Sequence, residues 1–263
     1  MGRAKAWLPW FGRSLVEHVV DQLLPVVDEV IVVTSESLDL PALPARVVRD
    51  REPERGPLAG LRDGLAETSA EHVFVTSTDA PFLTSDFVAR MLAVGRPCAP
   101  VAEGHVQVLC AVYPGSAGKD AARLLDAGVS RPLRLLESLD FEAIEWSGGE
   151  AGSRGSVEAP PWRGFNTPEA YLEGVRSVDP DASAEVELLG RAALRVEQTL
   201  RRTPVGTLGE VLAVWPASLG LIEDGRVARA HLASLGGRDL VRDLRVPVGP
   251  GERVSILDAL AGG

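Results

Sequence analysis

The sequence predicts an α/β fold with a mainly parallel sheet, followed by a small α+β domain. Three observations lead there. Val- and Ile-rich runs of strand length alternate with segments of helical period from the start to about residue 178. A polar stretch, "VDPDASAE" (178–185), then interrupts the pattern. The remainder changes to closely spaced strands around one helix.

The chain opens on "MGRAKAWLPWFG", whose glycines and basic residues suit the back half of a phosphate-binding loop feeding a helix. "EVIVVTS" (29–35), "ARVVRD" (45–50), "HVFVTST" (72–78) and "VQVLCAVY" (106–113) read as strands, and their continuous apolar character fits strands buried on both faces. "SLVEHVVDQLLPVV", "PLAGLRDGLAET", "SDFVARMLAV" and "GKDAARLLDAG" place apolar residues three or four apart, so each reads as a helix facing a core. "WSGGEAGSRGSVEAPPWRG" (146–164) has the composition of a mobile loop. The expected organisation is residues 1–178 as the first domain, 179–184 as a linker and 185–263 as the second.

In the second domain, "EVELLG" and an extended piece near "LRVEQT" come first. Thr207 and Glu210 in "TLGEVLAVW" then form the T-x-x-E capping box of a helix start. A D-G hairpin signal, a G-G turn and the closing "ERVSILDALAGG" follow. Two strands, one helix and further strands in so short a span fit a β-grasp arrangement.

At 263 residues with 45% hydrophobic composition the chain can bury a sizeable core. Its net charge of −10 argues against a nucleic-acid or anionic-membrane surface, because such partners select basic faces. Local positive charge is nonetheless concentrated in the first quarter, at Arg3, Lys5, Arg13, Arg49, Arg51, Arg55 and Arg62. Two cysteines, Cys98 and Cys110, read as core thiols, and with no secretory leader they point to the cytoplasm. Four scattered histidines give a zinc site little support.

In an open α/β sheet, ligands sit beyond the carboxyl ends of the strands. Asp79 leaves one such end in "HVFVTSTDAPF" and is placed to hold Mg²⁺; the plainer reading has it open the turn before Pro81. Asp50 leaves another, ahead of Gly56-Pro57 and a helix start. Asn166 and Thr167 precede Pro168 and Glu169, which again is a good helix start.

Taken in order, M-G-x-x-K-A-x-L-x-x-x-G, then an Asp followed by GPLAG, then a strand ending in D-x-P, then N-T-P-E resembles the molybdenum cofactor guanylyltransferase family of Rossmann-like nucleotidyltransferases. The resemblance covers roughly residues 1–178. It implies transfer of GMP from GTP to molybdopterin, giving the guanine dinucleotide cofactor and pyrophosphate, with Mg²⁺ as the metal. It also implies that Lys5 contacts the nucleotide phosphates, that Asp50 contacts the nucleotide and that Asp79 binds Mg²⁺ and GTP. Thr34 stands where the family usually has a nucleotide-contacting asparagine, and Asn166 and Thr167 match the segment near the pterin.

In this family a strand and an L-A-G-G-x-S-x-R loop precede the M-G pair. Met1 stands where that methionine falls, so the first domain is expected to be N-terminally incomplete and its activity reduced. The tail, from about residue 184, resembles the ubiquitin-like sulfur carriers, in particular the small subunit of molybdopterin synthase, through "GGRDLV" and the terminal A-G-G, with Gly236 in place of the usual asparagine. That implies a carrier terminus at Gly262 and Gly263, an adenylating and sulfur-transferring enzyme as one partner and the synthase large subunit as another. Two alternatives stand beside this reading: a catalytically silent first domain with carrier function only, and a molybdopterin cytidylyltransferase.

Overall fold

Residues 1–146 and 159–259 are described by a computed structural model of the protein. They fall into two units. The first holds Val16–Gly152 with Glu158–Gly164 and the second holds Met1–Leu15 with Phe165–Gly263, each as far as the described residues reach. The expected mobile loop falls, over residues 147–158, outside the described residues, and so do Gly262 and Gly263.

The chain begins with a hairpin of β1 (Pro9–Trp10) and β2 (Arg13–Ser14), turned through Phe11 and Gly12, both at positive φ. Helix α1 (Leu15–Leu23) ends short of Pro25, which has no N–H to continue it. Next come β3 (Ile31–Thr34), β4 (Arg46–Arg49) and α2 (Pro57–Ala66). They lead to β5 (His72–Thr76) and α3 (Ser85–Ala93). The N-terminus of α3 is capped by Thr84, whose hydroxyl accepts from the Phe87 N–H. After β6 (Cys98–Ala102), β7 (His105–Val106) and β8 (Cys110–Pro114) come α4 (Gly118–Asp126), α5 (Pro132–Ser138) and β9 (Glu142–Glu145).

The expected mainly parallel sheet does not form; the first unit has mixed pairing. β3 and β4 make a two-stranded parallel sheet, with Ile31 opposite Arg46 and Thr34 opposite Arg49. The other sheet runs β5-β8-β6-β7 with β9 beside β6. Here β8 is antiparallel to both β5 and β6, β6 and β7 are antiparallel, and only β6 and β9 are parallel. The reason is connection length. A parallel crossover needs a dozen or so residues, whereas β6, β7 and β8 follow one another through residues 103–104 and 107–109. The segment expected as one strand over 106–113 is thus two, broken where the Gln107 N–H bonds Pro100 O and the Cys110 N–H bonds Gln107 O.

Leu58, Leu61 and Leu65 of α2, Leu125 of α4, and Leu135 and Leu136 of α5 close over Tyr113 of β8, each at most 5% exposed. Each such leucine contributes roughly 2 kcal/mol through burial. Cys98 and Cys110 are buried and unbridged. Desolvation, helped by the nearby Glu142 charge, raises the Cys98 thiol to about 11.

In the second unit α6 (Pro168–Val178) leads to β10 (Ser183–Leu188), α7 (Gly190–Ala193), β11 (Leu200–Pro204), β12 (Gly206–Thr207) and α8 (Leu208–Leu212). The chain continues through β13 (Ile222–Glu223), β14 (Arg226–Val227), β15 (His231–Leu235), β16 (Asp239–Val241), β17 (Pro247–Val248) and β18 (Arg253–Asp258). A five-stranded sheet has the order β11-β10-β18-β15-β16, with β10 and β18 parallel at its centre. Val186, Leu188, Leu208, Val211, Val254 and Ile256 are fully buried in its core.

The Thr207–Glu210 capping box forms in both directions, and the Asp224-Gly225 hairpin turn has both residues at positive φ. The expected linker over 179–184 differs in its second half. β10 begins at Ser183, and Ala182 and Ala184 are buried. Among the described residues no helix is long and apolar enough to cross a membrane.

Candidate functional site

In the first unit, strand pairing sets the exits of β3 and β4. The Asp50 N–H donates to Thr34 O at 2.8 Å, so the two strands end level, Thr34 on one and Asp50 just past the other. Asp50 then folds the following loop onto itself, its carboxylate accepting from the Glu52 N–H at 2.9 Å. Gly56, at φ +77°, admits the turn into α2, and Pro57 stands at the first helical position.

Asp63, one and a half turns into α2, holds this loop from below. Its carboxylate accepts from the Arg51 N–H at 2.9 Å and from Arg62 Nε at 2.8 Å, with a side chain only 1% exposed. Burial pushes its carboxyl up, but the Arg62 and Arg51 hydrogen bonds and charges outweigh burial and leave it below the usual carboxylate range. Arg62 also donates to Glu52. Asp63, a carboxylate among the buried residues of α2, is thus the anchor of the Asp50 loop, and the sequence carried no motif that singled it out.

Asp79 leaves β5 through Ser77 and Thr78. It is half-buried, and Ser77 Oγ donates to its carboxylate. Gly164 lies against it closely enough that a Cβ there would stand 3.0 Å from Asp79 Oδ1. No group of three or more His, Cys, Asp or Glu side chains able to hold a metal exists among the described residues. The donor set is therefore one carboxylate and a hydroxyl. That fits Mg²⁺, which takes one or two carboxylates and completes its shell with water and substrate phosphates.

Lys5, Asn166 and Thr167 belong to the second unit. Lys5 starts a short 3₁₀ turn, Lys5–Trp7, and its Nζ donates to Asn166 Oδ1 at 2.7 Å. Thr167 is the N-cap of α6, accepting from the Ala170 N–H at 3.2 Å, so its hydroxyl serves the helix. The N-terminal segment is pinned around Lys5. Arg3 pairs with Glu252 at 2.6 Å and Asp239 at 3.2 Å, Trp7 stacks under Arg238 at 3.2 Å, and Tyr171 donates to Pro9 O. None of these anchors was visible as a motif, because their partners lie more than 150 residues away. The candidate residues thus fall in two groups, Lys5 with Asn166 and Thr167, and Thr34 with Asp50 and Asp79.

Comparison with known proteins gives the class. A family model described as the MobA-like NTP transferase domain matches residues 1–143, and the chain belongs to that family of nucleotidyltransferases. The molybdenum cofactor guanylyltransferase of Ectopseudomonas mendocina (strain ymp) is 29% identical over 182 residues, 68% of this chain and 86% of that protein. The molybdenum cofactor guanylyltransferase of Cereibacter sphaeroides is 33% identical over 136 residues, 49% of this chain and 70% of that protein. The crystal structure of 2-C-methyl-D-erythritol 4-phosphate cytidylyltransferase from Thermus thermophilus shares the fold, with a TM-score of 0.50 at 18% identity, covering 64% of this chain and 90% of that one.

Proposed function

We propose that the protein transfers GMP from GTP to molybdopterin, giving the guanine dinucleotide form of the cofactor and pyrophosphate. The family match over residues 1–143 carries this reading, and the guanylyltransferase relatives favour guanine and a molybdenum cofactor over other acceptors. A terminal phosphate oxygen of the pterin attacks the α-phosphorus of GTP. The new O–P bond forms as the bond from the α-phosphorus to the bridging oxygen breaks, and that electron pair leaves with pyrophosphate. The reaction asks little covalent work of the protein, so placement and charge neutralisation dominate.

Asp79, oriented by Ser77, takes Mg²⁺, which when bound offsets phosphate charge. Asp50, in a loop tied down by Asp63, contacts the nucleotide, as does Thr34 from the end of β3. Lys5, steadied by Asn166, supplies a positive charge to the phosphates, and Asn166 and Thr167 serve the pterin side. The test is pyrophosphate release and dinucleotide formation from GTP, Mg²⁺ and molybdopterin, with Asp79→Ala as control. Mg²⁺-dependent GTP affinity is expected to vanish in the variant while its fold persists. Unchanged Mg²⁺-dependent binding would overturn the metal assignment, and turnover with CTP instead of GTP would overturn the base.

For residues 185–263 the proposal is a β-grasp sulfur carrier ending in Gly262-Gly263. The supporting observation is the sheet order β11-β10-β18-β15-β16, with the strands that come first and last along the chain, β10 and β18, parallel at the centre and α8 packed on the same core. Its partners are then an adenylating, sulfur-transferring enzyme and a synthase large subunit.

A further inference from the structure

The turn between β15 and β16 in the second unit does more than reverse the chain. It runs through Gly236 and Gly237, at φ +57° and +71°, and the Arg238 N–H closes it on Leu235 O at 3.1 Å. Glycine is suited to both positions because each has positive φ. The two residues that follow each hold a residue of the N-terminal segment. Arg238 lies over the Trp7 ring at 3.2 Å, and Asp239 takes the Arg3 guanidinium at 3.2 Å. Glu252, ahead of β18, takes the same guanidinium at 2.6 Å.

The residues gripped are two before and two after Lys5. Lys5 opens a three-residue 3₁₀ turn whose backbone bonds run from the Trp7 N–H to Ala4 O at 3.1 Å and from the Leu8 N–H to Lys5 O at 3.0 Å. So short a turn is not stable by itself, because each bond must fix several dihedral angles. Its place is therefore set by what holds its flanks. Gly2 adds a close approach on the same side, since a Cβ there would stand 2.7 Å from Val246 Cγ2. The far end of the lysine is fixed separately, by Nζ donating to Asn166 Oδ1 at 2.7 Å.

The hairpin itself needs neither a cation at 238 nor a carboxylate at 239, because its turn is closed by glycine backbone. Arg238 is exposed and lies outside the apolar core of the sheet. Both side chains thus serve the segment that carries Lys5.

We infer that Arg238 and Asp239 are positioning residues for Lys5, holding Trp7 and Arg3 so that the ammonium is fixed in advance for the nucleotide phosphates. A charge stabilises a transferring phosphoryl group most when its place is set before the substrate arrives. The inference rests on the role proposed above for Lys5. It gives the β-grasp unit a part in nucleotide binding that is separate from its terminal glycines.

The experiment compares the full 263-residue chain with Lys5→Ala, with Arg238→Ala plus Asp239→Asn, and with all three changes together. Hydrogen exchange at the Trp7 and Leu8 amides, read without nucleotide, reports the seat, and calorimetric titration of GTP with Mg²⁺ reports its effect. The paired variant is expected to speed exchange at both amides and to weaken GTP about tenfold, equivalent to about 1.4 kcal/mol. The triple variant is expected to bind GTP no more weakly than Lys5→Ala, because the turn acts through the lysine. Arg238→Lys keeps a cation over Trp7 and is expected to hold affinity within about twofold of the parent. A merely structural role would lower the melting temperature and leave these affinity relations unmet. Faster exchange with unchanged GTP affinity, or losses that add in the triple variant, would overturn the inference alone. GTP binding indifferent to Lys5→Ala would overturn the proposed role of Lys5 and the inference with it.

Discussion

The Arg3 guanidinium and the Glu252 carboxylate meet at 2.6 Å with side chains 4% and 3% exposed, joining the N-terminal segment to the turn before β18. Glu252 is held a second time, accepting from the Gly249 N–H at 3.0 Å. Burial is the larger influence on its carboxyl and raises it above the usual range, while Arg3 pulls it back.

Replacing one partner of so buried a pair leaves the other charge without compensation. Arg3→Met is therefore expected to cost about 3–5 kcal/mol at neutral pH. The sign with pH follows from the raised Glu252 carboxyl. Its cost is absent below the unfolded carboxylate range and grows as pH rises through the folded value, which loss of Arg3 raises further. The variant is thus expected to sit closest to the parent near pH 4. Calorimetric melting of Arg3→Met, and of Arg3→Met with Glu252→Gln, from about pH 4 to 8 checks this. An equal deficit at both ends would contradict it.

Asp63 has the opposite sign. Its carboxyl lies below the usual range, so the stability it contributes is complete above the unfolded value of about 3.9 and is lost as pH falls through the folded one. Asp63→Asn is expected to cost about 3 kcal/mol at pH 7 and to flatten the acid limb of the stability curve. Acid titrations of unfolding in parent and variant give the comparison. The same variant releases the Arg51 N–H, so GTP affinity is expected to weaken as well.

Gly164→Ala places a methyl 3.0 Å from Asp79 Oδ1 and 3.2 Å from Asp79 O. A contact that tight makes the carboxylate give way, so Mg²⁺-dependent GTP binding is expected to fall about tenfold with at most about 1–3 kcal/mol of stability lost. Calorimetric titration of GTP with and without Mg²⁺ separates the two effects. Affinity unchanged in both would remove Asp79 from the metal role.

For the terminal glycines, incubation with an activating enzyme of the ubiquitin type, ATP and a sulfur donor is expected to exchange one oxygen of the Gly263 carboxylate for sulfur, read by intact mass. Glycine suits such a tail because it lacks a Cβ to block close approach in a narrow active site. One residue added after Gly263 is expected to abolish the gain. A capped chain that still takes sulfur would show that the tail is only a terminus.

Local chemistry made much of this protein legible from its sequence. Helix α2 starts where Gly56-Pro57 says it should, and α8 starts where Thr207 and Glu210 cap each other, because these signals act within one turn of backbone. The strand exits at Asp50 and Asp79 were equally readable, since each is an acid within a few residues of the end of an apolar run. Strand direction was not readable. The sign of β8 depends on the short links that carry the chain from β6 through β7, and apolar runs look alike in either direction. Nor was the role of Arg3, Asp63 or Gly164, whose meaning comes from a carboxylate, a backbone N–H or a side chain brought near by folding. Periodicity reports which face of an element is buried; only the tertiary structure decides what that face meets.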